Sequence, residues 1–114
     1  MKNLVQLNLK NNEIKALLEL KKVLLDNFPV AEIILYGSKA RGDSDKESDI
    51  DVLVILRNGV DDSTREVIFS MSFKIEMKYD VIFGILVEPE DFWSSPLASS
   101  MPIHWNIERE GIAV

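Results

Sequence analysis

The sequence predicts a single α+β domain in the order αβαβαβα, spanning residues 1–114 and built on a small three-stranded mixed sheet. Three observations lead there. "AEIILYG", "DIDVLVIL" and "YDVIFGILV" are strand-length apolar runs rich in β-branched residues. Segments with helical spacing or helix caps stand before and between them. A chain of 114 residues is enough for one core and no second domain.

The first helix is "NNEIKALLELKKVLLDNF", with Ile14, Leu17, Leu18, Val23, Leu24 and Leu25 at roughly helical intervals and Asn11 or Asn12 as the N-cap. Pro29 stops it. "AEIILYG" is the first strand, residues 38–42 allow one helical turn, and 43–48 read as loop. The second strand, "DIDVLVIL", is broken by Asn58-Gly59. Ser63-x-x-Glu66 has the form of a capping box, so "STREVIFSMSFKIEMK" is a helix with Val67, Met71, Ile75 and Lys78 along one side. "YDVIFGILV" is the third strand, stopped by Glu88-Pro89. A loop then leads to a short helix over about 102–110, with Gly111 suited to its C′ position.

Composition narrows the function classes. Net charge is −6, which repels a phosphate backbone from the average surface and disfavours direct nucleic-acid binding. A nucleotide bridged by a divalent ion remains compatible, because the ion reverses the local sign. With no cysteine and one histidine, His104, any metal must be hard and held by oxygen. His104 itself reads as a packing or surface residue, and Trp93 and Trp105 as core or as a patch left for a partner. No run reaches membrane-span length, and the N-terminus lacks an apolar signal region. With the missing cysteines, this points to the cytoplasm.

The informative stretch is "YGSKARGDSDKESDIDVLVIL", where a Gly-Ser turn is followed by five acids between Asp43 and Asp51. An EF-hand needs Gly and Glu at its sixth and twelfth positions, and the chain supplies Ser48 and Val54. A P-loop needs Lys after its second glycine, and Asp43 stands there. The D-x-D of haloacid-dehalogenase-like phosphatases follows an apolar strand, whereas Asp49 and Asp51 open one. A solvated acidic tip accounts for Asp43, Asp45, Lys46 and Glu47 but not for Asp51 inside an apolar run.

Asp49 and Asp51 project from one face of the strand, about 6.6 Å apart along it. Carboxylates that close repel, and a divalent cation is the simplest compensation. Gly37 lets the backbone approach a bulky anion, and Ser38 offers a hydroxyl and an N–H at a helix start. Lys39 and Arg41 add positive charge, but on one turn they cannot both face one ligand. For turn and acids to meet, strand one must run antiparallel to strand two. Strand three follows a crossover helix and pairs parallel, which would deliver Asp80 to the same place.

The composite G-S-x-A-R-G…S-D-x-D, with a third Asp opening a later strand, resembles the minimal nucleotidyltransferases of the DNA polymerase beta-like superfamily. The matching residues are Gly37, Ser38, Ala40, Arg41, Gly42, Ser48, Asp49, Asp51 and Asp80, and "IEREGIAV" is similar to the usual ending. Lys39 departs from the Arg often found there, at a variable position. The resemblance implies the nucleotidyltransferase fold, with Gly37, Ser38 and Arg41 at the triphosphate of ATP or another NTP. It implies Asp49, Asp51 and Asp80 as catalytic ligands of two Mg2+ ions, with Asp80 helping to activate an acceptor hydroxyl. Such a pair, about 3.5–4 Å apart, would stabilise attacking and leaving oxygens in transfer of a nucleoside monophosphate with release of pyrophosphate.

The chain has no added helical domain to hold base and acceptor, so self-association or a second protein is expected to complete the cleft. Minimal members resemble the antitoxin half of toxin–antitoxin pairs. Their partner is a small helical HEPN-type ribonuclease, modified on tyrosine by AMP. The competing reading is a binding module that neutralises a helical partner by occlusion around a vestigial site. A small-molecule transferase of the antibiotic-modifying kind has less support without a substrate domain.

Overall fold

A computed structural model describes residues 9–42 and 49–114. The sequence readings that fall on Asp43, Asp45, Lys46, Glu47 and Ser48 lie outside the described residues.

Helix α1 (Asn11–Asn27) begins one residue after Lys10, whose backbone N–H donates to Glu13 Oε1 at 2.9 Å. Lys10, not an asparagine, is therefore the N-cap. Its buried stripe is Ala16, Leu17, Leu20 and Leu24, while Leu18 and Leu25 are half exposed. Strand β1 (Val30–Tyr36) leads to a single turn, α2 (Ser38–Arg41), and β2 (Ile50–Leu56) follows. Helix α3 (Asp62–Tyr79) is capped by Asp61, which accepts from the Thr64 N–H, so the cap lies two residues before Ser63. It buries Ile68, Ser72 and Ile75, and Val67 is left exposed. Strand β3 (Phe83–Pro89) comes next, then two single turns, α4 (Glu90–Trp93) and α5 (Pro96–Ser99), in the segment expected to be loop. Helix α6 (Pro102–Glu110) and a two-residue strand β4 (Ile112–Ala113) follow.

The sheet has four strands, in the order β3-β2-β1-β4, not three. β1 runs antiparallel to β2 and β3 parallel to it, as expected. β4 adds antiparallel to the outer side of β1. Two residues carry no readable alternation, so β4 had no signal in the sequence. Gly111 is extended (φ −67°) rather than left-handed. It is required sterically, because a Cβ there would lie 2.5 Å from the Ile107 carbonyl oxygen and 2.6 Å from Ile34 Cγ2.

β2 is buried on both faces, which explains its unbroken apolar run. Ile50, Val52, Val54 and Leu56 face α1 and α3, while Leu53 and Ile55 pack with Trp93 and Ile107. Truncating Leu53, fully buried, to Ala would cost about 2–5 kcal/mol. Asp51 shares the parity of Leu53 and Ile55 and stands on their face at the strand's first residues.

Candidate active site

Asp51 is half-buried at the opening of β2, level with Tyr36 on β1 and Gly84 on β3. Its two carboxylate oxygens each have a glycine beside them. A Cβ on Gly37 would lie 2.5 Å from Oδ2, and one on Gly84 would lie 2.6 Å from Oδ1. Gly37 also has φ +75° and ψ −158°, a region only glycine occupies without strain. The carboxylate therefore sits in a slot that exists because both neighbours lack side chains.

Burial pushes the Asp51 carboxyl above the usual aspartate range, the charge of Asp49 pushes it the same way, and Arg41 opposes them. Burial and the Asp51 charge likewise raise the Tyr36 phenol. Asp49 is exposed, one residue before the strand. These two acids thus form a repelling pair at the mouth of the sheet. Their hard oxygens fit one divalent ion shared with a phosphate, which would relieve the repulsion.

Asp80, expected as the third ligand at a strand opening, is placed instead at a helix end and is not grouped with them. Helix α3 continues through Tyr79, and Asp80 is its C-cap, exposed and left-handed at φ +56°. β3 begins only at Phe83, whose N–H donates to Glu76 Oε2 at 2.7 Å. The residue that the parallel register places beside Asp51 is Gly84. Among the described residues no group of three or more His, Cys, Asp or Glu is placed to hold a metal. The physical reason for the longer helix is Tyr79, partly buried against the core, whose hydroxyl donates to Glu19 Oε1 at 3.0 Å. Asp tolerates the left-handed conformation at such a helix end.

On α2, Ser38 opens the helix, whose first amides lack intrahelical acceptors. Lys39 and Arg41 diverge. The Lys39 ammonium is buried against Glu13 Oε2 of α1 at 2.7 Å, away from any ligand. Arg41 reaches the Asp51 side and lies against Glu110 at 3.2 Å. His104 packs on Trp93 with ring centroids 4.5 Å apart, and its Nε2 lies 3.2 Å from the Trp93 carbonyl oxygen, as a packing residue does. Trp93 is core, whereas Trp105 is exposed with its indole N–H donated to the Ser99 carbonyl.

Two residues at the site had not been singled out. Gly84 carried a signal, since an isolated glycine in a strand marks a close approach. Glu110 lies in the family-like ending "IEREGIAV", but nothing there marks it for the site, because its place depends on β4.

The chain is similar to known proteins. A family model described as a nucleotidyltransferase domain matches residues 17–101. MJ0604 of Methanocaldococcus jannaschii, provisionally named a protein adenylyltransferase, is 34% identical over 102 residues, covering 88% of this chain and 95% of its own. A toxin–antitoxin crystal structure with AMP-PNP superposes with a TM-score of 0.60 at 20% identity, over 91% of this chain and 72% of that one. A protein from Sulfolobus solfataricus, provisionally named a nucleotidyltransferase, gives 0.53 at 18% identity, over 93% and 88%. At those identities the two structures speak to the fold alone. The family model and the 34% identical relative carry the conclusion: the chain belongs to the nucleotidyltransferase domain family and is a transferase.

Proposed function

We propose that this transferase moves a nucleoside monophosphate, AMP, from ATP to a hydroxyl on a partner protein, releasing pyrophosphate. The observation that carries the reading is Asp51 in its two-glycine slot, beside Asp49 and Arg41 and at the end of the Gly37-Ser38 turn. Ser38 and the α2 amides after it would receive phosphate oxygens, and Arg41 would add charge at the open side. Asp49 and Asp51 would hold Mg2+, which when bound neutralises the phosphates and makes the α-phosphorus easier to attack. The described donors support one such ion. A second ion and hydroxyl activation by Asp80 rest on the family resemblance alone. Holding the reactants in line then supplies much of the rate.

AMP as the group and protein as the acceptor follow the name of the methanogen relative. A partner of the toxin–antitoxin kind, a small helical HEPN-type protein in the cytoplasm, follows the structural neighbours and the family resemblance. No helix among the described residues is long and apolar enough to cross a membrane. A partner also suits the outer face of α3, where Phe69, Phe73 and Met77 recur every four residues and are exposed. The competing reading is occlusion of a partner without catalysis.

Incubation with α-labelled ATP, Mg2+ and candidate acceptors, the product of a neighbouring reading frame included, separates the two. Label on the acceptor, lost in Asp49→Asn and Asp51→Asn, supports transfer. Tight partner binding that survives both substitutions, with no label transferred, supports occlusion.

A further inference from the structure

The last residues of the chain return to the site. β4 pairs with β1 through Ile34↔Ala113 and Leu35↔Ile112. Continuing that antiparallel register brings residue 110 level with Gly37, where β4 has given way to the end of α6. No strand carbonyl is available there for the Gly37 N–H, and the Glu110 side chain substitutes for it. Glu110 Oε1 accepts from the Gly37 N–H at 3.2 Å. Arg41 Nη1 donates to both oxygens of the same carboxylate, each at 3.2 Å.

The anchoring is asymmetric. The Glu110 side chain is 13% exposed and that of Arg41 46%, so the acid is fixed in the fold and the cation stands at the open end. Gly111 holds the acid in place by letting the end of α6 lie directly on Ile34. A depression of about 440 Å3 beside Arg41 and Glu110 leaves the pair reachable. Because Gly37 has given its N–H to Glu110, phosphate must be received by Ser38 and the amides that follow it, with Arg41 aimed by the carboxylate behind it.

We propose that Glu110 is a positioning residue for nucleotide binding: it completes the edge of β1 at Gly37 and orients Arg41 toward the phosphates. This rests on the nucleotidyl-transfer reading above. A carboxylate hydrogen-bonded to a guanidinium loses its charge-assisted share in the amide, while the amide still accepts from Gly37.

The test uses the full chain in five forms: wild type, Glu110→Gln, Glu110→Ala, Arg41→Gln and the Glu110→Gln/Arg41→Gln double variant. Steady-state transfer gives KM and kcat for ATP, calorimetry with a non-hydrolysable ATP analogue and Mg2+ gives affinity, and thermal melts report folding. Glu110→Gln is expected to raise KM and weaken the analogue about tenfold, with kcat and melting close to wild type. In the Arg41→Gln background the same change is expected to add nothing, since its effect passes through the arginine. Hydrogen exchange at the Gly37 amide should stay protected in Glu110→Gln and speed up in Glu110→Ala. Equal KM and affinity in wild type and Glu110→Gln would overturn the proposal, as would a full effect without Arg41. Wild type that takes up no analogue would overturn the transfer reading and this inference together. That outcome is distinct from wild type and variant binding alike.

Discussion

Lys39 and Arg41 stand two residues apart on a four-residue helix, and the fold gives them different work. Lys39 is 3% exposed, paired with Glu13 of α1, and belongs to the packed interior. Arg41 is 46% exposed, paired with Glu110 of α6, and its charge is felt at Asp51. Both are cations with carboxylate partners, so chemistry alone does not separate them. The separation comes from what surrounds each pair. A buried ion left unpaired is costly, whereas an ion at an open cleft stays available to a ligand.

The carboxylates repeat the contrast with opposite pH behaviour. Burial pushes Glu13 up, but its hydrogen bonds and the charges of Lys39 and Lys10 win and hold it below the usual glutamate range. That stabilises the fold above the ordinary glutamate pKa and is lost as pH falls through the depressed value. Asp51 is raised. The native state then holds a proton longer than the unfolded chain, so stability declines as pH rises from the ordinary aspartate range through the raised value.

The largest effect expected from breaking the site side is on activity. Asp51→Asn should lower label transfer roughly a thousandfold or more. It should also raise the melting temperature at neutral pH without ligand, a gain that disappears below the ordinary aspartate range. A neutral-pH melt unchanged or lowered would show that Asp51 is not under electrostatic stress. On the interior side, Lys39→Met should cost about 3–5 kcal/mol in urea denaturation by stranding Glu13. Lys39→Met with Glu13→Leu should recover much of it, which sharpens the contrast by showing a replaceable pair.

Smaller effects follow. Arg41→Gln should weaken binding of the ATP analogue about tenfold while changing stability by less than about 1 kcal/mol. A large loss of stability would erase the distinction from Lys39. The smallest effect is expected at Asp80. Asn also tolerates the left-handed conformation, so Asp80→Asn should leave transfer within about twofold and stability within about 0.5 kcal/mol. A hundredfold loss of transfer would restore Asp80 to the catalytic set.

The strands, the principal helices and the mixed pairing of the three longer strands were legible because periodicity, breakers and crossover length are local properties of the chain. So was the approach of Gly37 to Asp51, since that stretch is nearly continuous in sequence. Asp80 was misplaced because "KYD" satisfies both a strand opening and a helix end, and only the packing of Tyr79 selects the helix. A shift of four residues there exchanges an acid for Gly84 in the register beside β2.

The sequence by itself determined an α+β domain with a Gly-Ser turn and two acids at the opening of a buried strand, because those features depend on residues close along the chain. Tertiary structure alone decided which cation faces the cleft, which residue of β3 stands beside Asp51, and that Glu110 supports the turn. Each of those depends on the register or burial of segments far apart in the chain, and nothing in local composition encodes that.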